Sequence, residues 1–306
     1  MYRRLFFFCL LPLFVIAAPP RGTAIEKPSA LLLLVHGYVS DPDAWNKSGI
    51  SGILEQGGWR HGAVIPVGAD GRFQLKSPPE AFSRRYHLAD IPSEAPLEIQ
   101  AEILARVMAA LRQRHPETVL FAAGHSAGGV ALRLMMVRRP DLGVAGLITI
   151  AAPHRGTDTA KLARFLTRTP MTLMTPFLGL GTLNRSAGLY ADLAPEEQGN
   201  LLFRLNHSEH PKAHYLSIVR KAEGPLPLDP IVAPDSQDLT RIQALGSRAI
   251  TVFSGSDHSL EARDGQWMND YLQRWLDALP APQTTHNPVM RTTTGVRHAP
   301  PNGEHD

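Results

Sequence analysis

Cysteine is nearly absent: Cys9 is the only one in 306 residues. One thiol excludes an intrachain disulfide, so the fold has to be held by its core alone. Charge of one sign is not concentrated either. The chain carries 31 Lys and Arg against 28 Asp and Glu, and the basic residues are scattered, not gathered into a run. That distribution argues against nucleic-acid binding. Arg84-Arg85 and Arg138-Arg139 are expected to be solvated surface groups, with weak attraction to anionic membranes as their most specialised role. No fixed-period repeat is evident, which argues against a solenoid or propeller.

Long hydrophobic runs are also missing. The best candidate follows the basic start Met1-Tyr2-Arg3-Arg4 and spans Leu5 to Ala18, interrupted by Pro12. It falls short of the roughly 20 apolar residues an ordinary membrane-spanning helix needs, and its flanks suit a secretory signal. Residues 1–24 are therefore expected to be a signal peptide, cut after Ala24 or after Ala18, with retention as an anchor the alternative. Export to a periplasmic or extracellular location follows from that reading, with membrane association as an open possibility. Cys9 then belongs to the apolar part of the signal.

What remains is globular in composition, with 43% hydrophobic and 19% charged residues. Residues 25–279 are long enough for one large domain with a substantial core. From Pro280 to Asp306 proline and polar residues dominate and periodicity disappears, so 280–306 is expected to be a flexible extension.

The centre of the chain is Gly124-His125-Ser126-Ala127-Gly128. An apolar run, Thr118 to Ala123, precedes it, and a helical pattern to Arg138 follows it before Pro140. A serine on a sharp strand-to-helix turn is held up from the backbone with its oxygen available, and glycines on either side remove side chains that would obstruct the turn. The bland alternative is that Ser126 only caps the helix.

Other elements follow by pattern. Leu31 to Val35 and Val144 to Ile150 read as central parallel strands, and His214 to Val219 and Ala249 to Phe253 as further strands. Ala63 to Val67 is a weaker strand because of Pro66. Residues 41–62 read as a loop with a helical or irregular segment, and Pro78 to Pro96 as a long connection. Leu97 to Arg114 is a helix with an apolar stripe of Ile99, Ile103, Leu104, Val107, Met108 and Leu111. A last amphipathic helix runs from about Gly265 to Leu279.

The serine turn, His36-Gly37-Tyr38 after the first strand, and Ala152-Pro153-His154-Arg155-Gly156-Thr157 after another together resemble the α/β-hydrolases. Within them the chain is similar to bacterial triacylglycerol-lipase-like esterases and, more weakly, to GPI-inositol-deacylase-like proteins, over about residues 30 to 279. The resemblance implies a mostly parallel sheet flanked by helices, a helical cap insertion near 158–211, and serine-dependent hydrolysis of esters. Phe165, Leu166, Met171, Leu173, Met174, Phe177 and Leu178 are candidates for the inner face of that cap, which is either a moving lid or a stationary wall.

It also implies roles. The backbone N–H groups of Tyr38 and Ala127 would form the oxyanion hole, although Gly37 also suits a plain turn. Leu228 to Ser236 resembles the family's acid loop, with Pro230 where that loop has glycine, so Asp229 is the expected acid and Asp235 its main competitor; Asp192, Asp257 and Asp264 are weaker ones. His258 is the expected base, and Ser126, Asp229, His258 follow the family's chain order. His154 is expected to be structural or pocket-shaping. His207-Ser208-Glu209-His210 and His214 raise a metal question, but their spacing is weak and no metal or other cofactor is expected. The expected partner is an acyl ester or lipid, with thioesters or amides as alternative substrates and a non-catalytic binding protein as the other class. Oligomeric state is left open.

Overall fold

The computed structural model describes residues 28–68, 70–75, 83–158, 186–221 and 229–279. The expected signal segment 1–24, the extension 280–306 and the seven cap candidates from Phe165 to Leu178 lie outside these residues.

Seven strands form one sheet: β1 (Ala30–Val35), β2 (Arg60–Pro66), β3 (Arg84–Asp90), β4 (Val119–His125), β5 (Val144–Ile150), β6 (His214–Val219) and β7 (Ala249–Phe253). Their order across the sheet is β2-β3-β1-β4-β5-β6-β7, and every neighbouring pair is parallel. Parallel strands need crossovers, and the crossover helices cover both faces. The alternation of β1 makes this visible. Leu31, Leu33 and Val35 join one hydrophobic core, while Ala30, Leu32 and Leu34 join the other. Each such buried leucine contributes about 1.5–3 kcal/mol relative to exposure.

The first core is closed by α3 (Leu97–Arg114) and α4 (Ala127–Arg138). The second is closed by α1 (Ala44–Lys47), α2 (Ile50–Gln56) and the carboxyl-terminal helix, which runs Ala262–Asp277. Thus the chain leaves β1 toward one face and leaves the adjacent β4 toward the other. A crevice opens where neighbouring strands part in this way, at their carboxyl ends.

Between β5 and β6 lie α5 (Ala187–Asp192) and α6 (Leu201–His207), the described helices of the insertion. α5 is fastened to the body: Asp192 Oδ2 accepts the Leu97 N–H at 2.8 Å, at the start of α3. The one-turn helix α7 (Pro234–Gln237) precedes β7, and the last of the described helices is α8. α8 starts three residues earlier than its apolar stripe suggests, because Glu261 and Asp264 form a reciprocal capping box at its amino end.

Three expectations fail for physical reasons. Residues 78–96 are not all connection; they contain β3, which sits between β2 and β1. Its sequence Arg-Arg-Tyr-His-Leu-Ala-Asp has no apolar run, yet its position inside the sheet buries it. Arg84 and Arg85 are consequently buried, not solvated, and Arg84 gives an N–H to Gln273 Oε1 at 2.8 Å. Arg138 and Arg139 do lie at the surface, paired with Glu98 and Asp141. In α3, Ile99 is 51% exposed. It lies five residues from Leu104, about 140° around the helix, and so points off the buried face.

Candidate active site

Ser126 follows β4 and immediately precedes α4. Its backbone has φ 51° and ψ −128°, a left-handed φ that non-glycine residues rarely adopt and that is worth about 1–3 kcal/mol of strain. The turn is secured by the Ser126 N–H, which donates to Ile150 O at 2.9 Å. At Gly124 a Cβ would meet Gly129 N at 2.6 Å, so no other residue fits where the strand and helix cross. The hydroxyl makes no capping bond to the helix. Instead Ser126 Oγ lies 2.9 Å from His258 Nε2.

On its other side, His258 Nδ1 is 2.7 Å from Asp229 Oδ2. A carboxylate accepts, so Nδ1 carries the proton and Nε2 offers its lone pair to the serine O–H. The three groups come from the ends of β4, the loop before α7 and the loop after β7, and all are buried. Asp229 is fully engaged: its Oδ1 accepts the N–H groups of Ile231 at 2.8 Å and Val232 at 3.0 Å, and its Oδ2 also accepts from Gln237 Nε2 at 3.0 Å. Such an aspartate turn tolerates proline at its second position, where φ is fixed and no N–H is required. Pro230 therefore leaves this turn intact.

The competing carboxylates have other tasks. Asp235 is exposed and faces Arg241 at 3.4 Å. Asp257 accepts the backbone N–H of His258, Asp192 caps α3, and Asp264 is fully buried against Arg220.

The loop after β1 presses against the serine. A Cβ at Gly37 would lie 2.9 Å from His125 Nδ1 and 3.0 Å from Ser126 Cβ, so glycine is required for this approach. His36 is buried; its Nδ1–H donates to Gly37 O at 3.0 Å while Nε2 accepts the Ile91 N–H at 3.4 Å. Burial lowers its pKa, which keeps the ring neutral. Among the described residues no acceptor takes the Tyr38 N–H. Ala127, as the first residue of α4, has an N–H that the helix leaves without a carbonyl partner. Tyr38, Ser126 and His258 line the same cleft of about 370 Å³, together with Val39, Ile231 and Leu260. A larger groove at the β2 edge, lined by Val64, Phe73 and Arg106, holds no nucleophile.

Sequence reasoning assigned nothing to several supports. His125 gives its Nε2–H to the backbone carbonyl of His258 at 2.8 Å, tying the serine turn to the histidine loop; burial lowers its pKa to about 3. Arg220, at the end of β6, forms a fully buried two-pronged pair with Asp264 at 2.6 and 2.7 Å and donates to Ser254 O and Ser259 O. His154, expected to be structural or pocket-shaping, is wholly buried, with Nε2 3.0 Å from Thr149 Oγ1, and its carbonyl accepts from Asn206 of α6. His207, His210 and His214 go separate ways: the first two bond to backbone carbonyls and the third stacks on Trp275. Among the described residues no His, Cys, Asp and Glu group is arranged to hold a metal ion.

Among solved structures the sheet and its crossovers have many counterparts. The product of gene lin2722 from Listeria innocua is 18% identical over 84% of this chain and 97% of its own, with a TM-score of 0.58. The mature lipase BlEst2 of Bacillus licheniformis is 15% identical over 85% and 96%, at 0.52. The peroxisomal α/β-hydrolase Lpx1 of Saccharomyces cerevisiae is 13% identical over 87% and 82%, at 0.50. This chain has the α/β-hydrolase fold. No family model and no curated protein matches its sequence. The likeness is therefore one of architecture, a parallel sheet with helices on both faces and helices inserted after β5.

Proposed function

We propose that this α/β-hydrolase is a serine carboxylic ester hydrolase, a lipase or esterase acting on lipid or other apolar acyl esters. The observation that supports this most directly is the relay Ser126 Oγ to His258 Nε2 and Nδ1 to Asp229 Oδ2, at 2.9 and 2.7 Å. Ser126 Oγ attacks the ester carbonyl carbon as its proton passes to Nε2. Asp229 holds the ring orientation and stabilises the imidazolium. The carbonyl oxygen becomes an anion, received by the Tyr38 and Ala127 N–H groups, each worth a few kcal/mol in such a role. His258 then returns the proton to the departing alcohol, leaving an acyl-serine. Water, deprotonated by the same Nε2, releases the acid and restores the hydroxyl.

An apolar substrate suits a cleft walled by Val39, Ala44, Ile231 and Leu260. The resemblance to triacylglycerol-lipase-like esterases and the architectural likeness to a Bacillus lipase point the same way. Residues 1–24 are proposed to export the protein; no helix of the described residues is long and apolar enough to cross a bilayer.

The test uses purified protein, a fluorophosphonate probe and a panel of p-nitrophenyl esters, thioesters and amides of increasing chain length. Wild type is expected to be labelled at Ser126 and to turn over esters fastest, whereas Ser126→Ala does neither. Equal ester turnover by the alanine variant would refute the mechanism, and a preference for thioesters or amides would move the substrate class.

A further inference from the structure

Asp229 has four hydrogen-bond donors, and one of them is a side chain from a separate turn. Gln237 Nε2 reaches the oxygen that also accepts from His258 Nδ1. Its amide has one orientation that satisfies every neighbour. Oε1 accepts the Arg220 N–H at 2.8 Å, and Nε2 donates to both Asp229 Oδ2 and Val232 O. Reversing the amide would set oxygen against two acceptors and NH₂ against a donor, so the assignment is fixed by chemistry.

The position of Gln237 is equally constrained. It is the last residue of α7, a single turn opened by Pro234. The preceding Ser236 donates its hydroxyl to Gly156 O at 2.6 Å and accepts the His154 N–H on its carbonyl, which pins the turn to the loop after β5. Consecutive helical residues point about 100° apart. With Ser236 turned toward β5, Gln237 is directed at the acid, where it is buried.

Its other partner extends the connection. The Arg220 backbone meets Gln237, while the Arg220 guanidinium holds Ser254 O and Ser259 O, on either side of His258, and is itself held by Asp264. Acid loop and base loop therefore meet through one amide and one arginine.

We infer that Gln237 is a positioning residue for the proposed reaction, setting the direction and the hydrogen-bonding strength of Asp229 Oδ2 toward His258. The inference rests on the relay proposed above. A carboxylate oxygen shared between two donors offers less to each than one given to a single donor. Removing Gln237 therefore frees the carboxylate to swing and changes the field at the Nδ1 proton. It also leaves the Arg220 N–H and Val232 O without their partner.

The experiment is a double-mutant cycle on the full chain, reading the rate of fluorophosphonate labelling. Gln237→Met keeps length and volume but removes every hydrogen bond. It is expected to slow labelling about tenfold, the scale of losing one hydrogen bond to a charged group. In an Asp229→Asn background the same change is expected to slow it less than about twofold, because the group it acts through is gone. An equal factor in both backgrounds, or no loss in the first, would overturn the inference and leave Gln237 a packing residue. Gln237→Asn, whose shorter amide does not span from Arg220 to Asp229, replaces the methionine variant if that does not fold.

A second readout needs no turnover. In the proton spectrum the His258 Nδ1–H resonance is expected to shift in Gln237→Met, because the carboxylate is no longer held at a fixed angle to it. An unmoved resonance would count against the inference. If wild type is not labelled beyond Ser126→Ala, the proposed function fails, and the spectrum still decides whether Gln237 acts on the Asp229 bond.

Discussion

The serine turn and the two loops that face it are built by different means. Around Ser126 nearly everything is local: the strand before it, the helix after it and a glycine two residues away on either side fix its geometry, and the strain at φ 51° is borne by that short stretch. Around His258 only the Asp257 carboxylate, which accepts its backbone N–H, is local. Asp229, its partner at Nδ1, is 29 residues earlier, and its loop hangs on Arg220 and Asp264, themselves 44 residues apart. The turn is held by backbone shape, whereas the facing loops are held by buried polar side chains. A polar bridge of this kind is strong when complete and costly when broken.

The largest effect should come from the acid. Asp229→Asn is expected to preserve the fold and reduce ester turnover about ten-thousandfold, through loss of ring orientation and charge. Asp235→Asn is expected to leave turnover within about twofold of wild type, as usual for an exposed ion pair. Measuring kcat/KM for both on the best ester of the panel decides it. A selective loss in Asp235→Asn would move the acid and undo the comparison at its root.

Breaking the bridge itself should come next. Asp264→Ala leaves the Arg220 guanidinium buried without its carboxylate, a change that typically removes about 3–5 kcal/mol of stability. Urea unfolding should report a loss on that scale. A loss under about 1 kcal/mol would mean that the pair is dispensable.

Acid should separate the two regions by a third route. His125, which joins the serine turn to the histidine loop, has its pKa lowered to about 3 by burial, His210 to about 4, and His154 is held well below its ordinary value for the same reason. The folded protein keeps these rings neutral, while the unfolded chain protonates them below about pH 6.5. Unfolded protein then binds more protons, so stability is complete above pH 6.5 and falls as the pH drops toward 4. Each ring adds a slope of about 1.4 kcal/mol per pH unit within that window. Urea titrations at pH 7, 6 and 5 are expected to show a combined slope steeper than that of one ring. His154→Gln should make it shallower, and a flat profile would show that these rings are protonated in the fold.

The same division explains what could be read from the amino-acid sequence. β1, β4, β5, β6 and β7 were legible because apolar runs of their length have few alternatives, and the serine turn because its pattern is contiguous. β3 was not, since arginine and histidine fill a strand whose burial is imposed by its neighbours. Asp229 and His258 were placed through resemblance to a family, not through any periodicity. Gln237, Arg220 and His125 carried no signal: a glutamine after a serine, an arginine after a strand and a histidine inside a motif acquire their tasks only when distant loops meet. For Arg220 and His125 the one trace is negative, for each is a polar residue in a segment otherwise bound for the interior.

The smallest effect is expected where the two means of construction touch. Tyr38 supplies a backbone N–H to the proposed oxyanion hole, so its peptide belongs to the region held by shape. Its side chain belongs to the other kind. The phenol donates to Ser186 Oγ at 2.8 Å and lies 2.7 Å from the Tyr190 hydroxyl, which must then be the donor of that pair. Both partners flank or form α5, and α5 is fastened to α3 through Asp192. The described part of the insertion is thereby hydrogen-bonded both to the loop after β1 and to the start of α3. Tyr38→Phe keeps the ring and its edge contact with Tyr190 but removes the hydroxyl that joins them. One buried hydrogen bond is worth about 0.5–1.5 kcal/mol net, so labelling of Ser126 should slow by about three- to tenfold, with KM for short esters unchanged. Tyr190→Phe, which leaves the bond to Ser186 in place, should have less effect. A wild-type rate in Tyr38→Phe would show that Gly37 and His36 alone hold the loop, and that the hydroxyl contacts to Ser186 and Tyr190 do not position the groups proposed to act on substrate.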